Sequence, residues 1–128
     1  MLRFLLVIST VLAAVLWAGH ALALEVAEAV ITTAVVDREP VDEVEVFPIQ
    51  GEKLYCFTRI TGAGEPTTIY HLWYYGEQLM SRVELPVQSP DWRTWSAKGF
   101  LATGQGDWRI EIQDASGMIL RQVSFQLR

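Results

Sequence analysis

The sequence predicts an all-β domain, a two-sheet antiparallel β-sandwich of about seven or eight strands. Short apolar segments alternate with period two, turn signals recur roughly every 8–12 residues, and no helical period appears beyond the N-terminal segment. Composition agrees with one globular domain: 128 residues, 51% hydrophobic and 20% charged, which excludes a disordered chain.

The first 23 residues carry an address. Arg3 supplies a positive start, Phe4 to Ala18 is an apolar run, and Ala21-Leu22-Ala23 is a small-residue cleavage site. That layout predicts a signal helix removed on export, with the domain periplasmic or extracellular. The alternative is an uncleaved inner-membrane anchor holding the domain outside the cytoplasm, since Phe4 to Leu24 approaches the length of a bilayer span. In that case alone would the protein contact a membrane. Residues 24–28 read as an acidic lead-in and 29–128 as the single β-domain.

Val30 to Val36 is a β-branched strand closed by Asp37, and Val41, Val44, Val46 and Phe47 form a weaker segment between Pro40 and Pro48. Lys53 to Ile60 is apolar on both sides, as expected of a strand covered on both faces. Thr61 to Pro66 is a loop, and Thr67 to Tyr75 is a strand ended by Gly76. Leu79, Ser81, Val83, Leu85 and Val87 then alternate with Gln78, Met80, Arg82 and Glu84, giving one core face and one wet face. Trp92 to Leu101 is strand-like. Trp108, Ile110 and Ile112 alternate with Arg109, Glu111 and Gln113, so Glu111 is expected to face solvent beside Arg109. Asp114 to Gly117 is a hairpin turn. In the last strand Val123, Phe125 and Leu127 face inward, and Leu120 falls out of phase, which predicts a bulge near Arg121. Trp73 stands mid-chain, where immunoglobulin-like sandwiches bury a tryptophan, without the usual cysteine pair. Trp73, Trp92, Trp108, Phe57 and Phe125 are the expected structural core.

Several blocks resemble a bacterial family catalogued as domain of unknown function 2914. They are Leu54 to Ile60, His71 to Gly76, Arg82 to Val87, Trp92 to Lys98 and Gly106 to Ile110, closed by Asp114, Gly117, Leu120 and Phe125. The similarity runs from about Ala29 to Leu127. It implies a small extracytoplasmic β-domain and carries over no catalytic residue.

Function classes narrow by charge and residue type. The whole chain is net −5, and the segment after the cleavage site keeps all 15 acids while losing Arg3. Such a chain lacks the basic footprint of a nucleic-acid binder. One cysteine and two histidines cannot complete a structural zinc site, and no cofactor is expected. Cys56 and His71 are the one sulfur–imidazole pair, nearly opposite each other if their strands form a hairpin but in different sheets in a true sandwich, and Cys56 lies in the most apolar strand. It reads as a small buried hydrophobe, with thiol catalysis the lesser alternative and enzyme activity not expected. His71 is expected half-buried, its ring bonded to backbone or to the Tyr75 hydroxyl.

The remaining signal is aromatic. Trp95 and Arg93 fall on the opposite side of their strand from Trp92, and Tyr70 and Tyr74 oppose the His71–Trp73 side. The expectation is a non-catalytic interaction module binding an envelope protein or glycan through an exposed face of Trp95, Arg93, Tyr70 and Tyr74. A carbohydrate-binding domain using the same residues is the alternative. Against exposure stand two alternatives: Arg93 stacks on Trp95 as a covered surface pair, or the N-terminal strand lies over it.

Overall fold

A computed structural model describes residues 23–128 and contains ten strands there. They are β1 (Glu25–Thr32), β2 (Val35–Val36), β3 (Glu39–Pro40), β4 (Val46–Phe47), β5 (Lys53–Thr61), β6 (Thr67–Tyr75), β7 (Gln78–Val87), β8 (Asp91–Gly99), β9 (Gly106–Asp114) and β10 (Ile119–Leu127). The signal-helix reading (residues 1–23) and the anchor reading (Phe4 to Leu24) lie outside the described residues apart from Ala23 and Leu24.

The long strands form two facing antiparallel sheets, one ordered β1-β5-β8 and the other β4-β10-β9-β6-β7, with β2-β3 as a separate ribbon. β4 is the exception to antiparallel pairing, running parallel to the end of β10. Strand alternation explains the core. Leu54, Cys56 and Ile60 from β5 meet Ile69 and Trp73 from β6 and Ile110 and Ile112 from β9, all without solvent exposure. Trp73, Phe100, Trp108 and Phe125 make an aromatic cluster at one end, with centroids 4.9–6.3 Å apart.

Gly76 (φ 55°) opens the two-residue β6–β7 turn, a conformation that glycine takes without steric cost. The bulge expected near Arg121 is present, since the β9–β10 register slips between Ile119 and Arg121. β5 is covered on both sides as expected, with outward-facing Phe57 fully buried.

Two boundaries differ from the sequence reading. The first strand starts at Glu25, so the acidic lead-in of residues 24–28 is largely strand. Val30 to Val36 is not one strand, because the chain leaves the sheet after Thr32. Asp42 is the cause: its carboxylate accepts the Thr32 and Thr33 hydroxyls at 2.6 Å each and the Thr33 N–H at 2.8 Å. Val35–Val36 then pairs with Glu39–Pro40 as a tight hairpin.

Candidate functional site

The sulfur–imidazole pair is interior. β5 and β6 lie in different sheets, so Cys56 and His71 are not cross-strand neighbours, and both have zero exposure. His71 is fully rather than half buried, and its partners are neither backbone nor Tyr75, whose hydroxyl donates to the Gln105 carbonyl. Its Nδ1 lies 2.7 Å from Ser96 Oγ and its Nε2 lies 3.2 Å from Thr58 Oγ1.

Proton bookkeeping fixes the tautomer. The Thr58 hydroxyl donates to the Thr94 carbonyl at 2.8 Å, so it can only accept from His71 Nε2–H. Nδ1 is then the acceptor and takes the Ser96 hydroxyl proton, while Ser96 Oγ accepts the Trp73 Nε1–H at 3.0 Å. The result is one directed chain, Trp73 to Ser96 to His71 to Thr58 to Thr94, that ties the sheets together with every member satisfied. A second proton on His71 would face the hydroxyl already donating to it. Burial accordingly pushes the imidazole pKa down to about 3 and the Cys56 thiol pKa far up. A buried thiol held in its neutral form is not a nucleophile. Sequence reasoning missed Ser96 and Thr58. Their inward phase on β8 and β5 was the available signal, but only the sheet assignment brings them to His71.

The outer face of the three-stranded sheet carries Trp95 and Arg93. Trp95 sits opposite Phe57, half-buried, with the rings stacked at 6.3 Å and 19°. Arg93 stands opposite Arg59, and the like charges are separated by their own partners. Arg59 binds Asp91 through Nε at 2.9 Å and Nη2 at 2.6 Å, and Arg93 binds Glu39 at 3.0 Å. Glu39 belongs to the β2–β3 hairpin, whose Arg38 lies over Trp92, 5.1 Å from the ring centroid. The N-terminal part of the domain thus lies against this face. Trp92 is half-buried at its border, while Trp73, Trp108, Phe57 and Phe125 are buried.

Tyr70 and Tyr74 occupy the outer face of the five-stranded sheet. The topology therefore splits the four aromatic-face residues into two pairs on different sheets, because β6 and β8 do not share a sheet. Around the tyrosines a second arrangement emerges. The Arg82 guanidinium lies 4.0 Å from the Tyr70 ring centroid, and that of Arg109 lies 4.2 Å from that of Tyr74. Between them Leu72 pairs with Glu111 across β6 and β9.

Glu111 has the outward phase expected of it but is not freely solvated, with only 8% exposed. Gln113 and Gln122 donate to it at 3.2 and 3.5 Å, and Arg109 stands at 3.8 Å. Arg109 also donates to the Gly76 carbonyl, so this guanidinium is held from three sides. Beyond it the face opens into a cleft of about 630 Å³ bordered by Asp107, Glu77, Glu45, Ser124 and Gln126.

Residues 66–127 match the model of a family described as protein of unknown function (DUF2914). The match supports the family resemblance read from the sequence and spans β6 to β10, which includes both tyrosine–arginine pairs. It is narrower than the similarity read from Ala29 onward, leaving β1 and β5 outside it. No curated protein matches the chain.

Proposed function

With residues 66–127 carrying that family's domain as the premise, we propose that this protein is a non-catalytic interaction module exported to the bacterial envelope. Its partner is a protein, held on the outer face of the five-stranded sheet. The observation that carries this reading is the pair of tyrosine rings each capped by a guanidinium, at 4.0 and 4.2 Å, around the nearly buried Glu111. Tyrosine and arginine dominate the energetics of protein interfaces, and side chains already fixed before contact lose less freedom on binding.

The carbohydrate-binding alternative has less support. A sugar stacks on a bare ring face, and here each tyrosine has one face taken by arginine, while Trp95 has one taken by Phe57. Export is supported by the Arg3, apolar-run and Ala21-Leu22-Ala23 pattern, with an inner-membrane anchor as the second arrangement. An immunoglobulin-like classification is supported by the parallel β4–β10 pairing and by Trp73 buried on the strand after the Cys56 strand.

The test is site-specific photocrosslinking in envelope-competent cells, with the crosslinker at Gln113 and, as control, at Ala97 on the other sheet. A discrete protein adduct from Gln113 alone, lost in Arg109→Ala, is the expected result. Equal adducts from both positions, or loss on adding free sugars, would overturn the reading. N-terminal sequencing of the mature protein checks cleavage after Ala23.

A further inference from the structure

We propose a second site, at the corner where the β2–β3 hairpin meets β8: a cleft that takes a carboxylate attached to an apolar side chain, the chemistry of a peptide C-terminus. The starting point is the hairpin's tip. Val36 pairs with Glu39, and the two residues between them, Asp37 (φ 51°) and Arg38 (φ 62°), are both left-handed. This is the geometry of a two-residue hairpin loop that glycine and asparagine take readily, whereas arginine has no local reason to adopt it. The hairpin is nonetheless pinned, by Asp42 at its base and by the Glu39–Arg93 ion pair at its tip. Arg38 is thereby held over Trp92.

Arg38, Trp92 and Arg93 together border two adjoining clefts. One of about 470 Å³ also includes Ser89 and Asp91, and one of about 250 Å³ has Pro86 and Trp95 in its walls. A donor inventory identifies the charge they accept. Asp91 is already bound bidentately by Arg59, and Glu39 is bound by one nitrogen of Arg93. Among the described residues no carboxylate pairs with Arg38. Two forked guanidinium groups, each with N–H donors unspent, converge on a space whose own acids are engaged. The smaller cleft beside them has Pro86, Trp92, Thr94 and Trp95 in its walls. An apolar side chain fits there better than a ring of hydroxyls, and its carboxylate reaches the arginines.

Titration of the purified protein with N-acetyl-leucine, N-acetyl-leucinamide and glucuronate, followed by the tryptophan indole N–H signals in NMR, tests this. The expected result is saturable movement of the Trp92 and Trp95 signals with N-acetyl-leucine at millimolar concentration, at least about fivefold weaker with the uncharged amide. Arg38→Gly suits the left-handed backbone, so it preserves the hairpin and should weaken binding to the same degree. Tyr74→Ala should leave it unchanged, which separates this site from the tyrosine face. Equal shifts with acid and amide, no saturation, or indifference to Arg38→Gly would each overturn the proposal. Tighter binding of glucuronate would overturn the peptide assignment in favour of acidic sugars.

Discussion

The two outward faces of this sandwich start from similar sequence and end differently. β5 and β8 place Phe57, Trp95 and Arg93 outward, while β6 and β9 place Tyr70, Tyr74 and Arg109 outward. On the first face Phe57 has no exposure at all, since Trp95 stacks on it and the β2–β3 hairpin lies alongside. On the second, among the described residues, the side chains order one another through ring–guanidinium and carboxylate contacts. The first face is dry and structural at its Phe57–Trp95 centre, with the charged side chains at its rim partly exposed, whereas the second is self-supporting and open. An outward aromatic therefore identifies a binding surface only once it is known what else lies over that sheet.

Truncating the dry face should have the largest effect. Phe57→Ala removes a fully buried ring and leaves a cavity beneath Trp95, a loss of about 3–5 kcal/mol. Tyr70→Ala on the other face should lose less than about 1 kcal/mol. Urea unfolding of the two variants checks this, and equal losses would erase the distinction.

Acid should loosen what the two sheets share. His71 is neutral in the folded chain with its pKa near 3, against an ordinary value of 6.5 once unfolded. Between those values the unfolded chain binds a proton that the folded chain refuses, so stability is full above pH 6.5, falls as pH drops, and levels off near pH 3. The total is on the order of 5 kcal/mol, with a slope of about 1.4 kcal/mol per pH unit inside the window. His71→Gln should flatten the dependence between pH 5 and about 6.5, a range above the ordinary carboxylate titrations. A wild-type midpoint in urea that does not move over that range would contradict the neutral-imidazole assignment.

Legibility followed the range of the physics. Period-two alternation identified the inward sides of β9, β10 and of β7 from Ser81 onward, and the phase error at Leu120 located the bulge, because these depend on adjacent residues; Leu79, expected on the core face, is exposed because the β6–β7 register slips between Trp73 and Tyr74. The hairpin turn at Asp37-Arg38 was missed because neither residue advertises a positive φ as glycine would. Assignment of β5 and β6 to different sheets is a long-range choice, and it decides both the separation of Trp95 from Tyr70 and the partners of His71. Glu111 was read on the correct side. Its burial comes from Gln113, Gln122 and Arg109, whose convergence depends on the β9–β10 pairing.

Releasing the hairpin should turn the dry face toward the open one at a smaller stability cost. Desolvation is the largest single influence on the Asp42 carboxyl and raises its pKa, but the hydrogen bonds from Thr32 and Thr33 together outweigh it and hold the group below the usual carboxylate value. Asp42→Ala removes those bonds and should cost about 1 kcal/mol. Its specific signature is optical: Trp92 and Trp95 should become more accessible to acrylamide, while Trp73 and Trp108 stay protected.

The smallest effect belongs to the open face and is the most informative about it. Arg82→Ala removes the guanidinium from Tyr70 without touching the core, so stability should change by no more than about 0.5–1 kcal/mol. If the face is a prepared contact surface, the loss appears in partner capture, because Tyr70 must then be ordered at the moment of binding. The photocrosslinked adduct from Gln113 should weaken several-fold in a variant whose urea midpoint hardly moves. A midpoint that falls as far as the adduct does would mean that the arginine–tyrosine pair serves the fold, and the open face would then resemble the dry one in purpose as well as in composition.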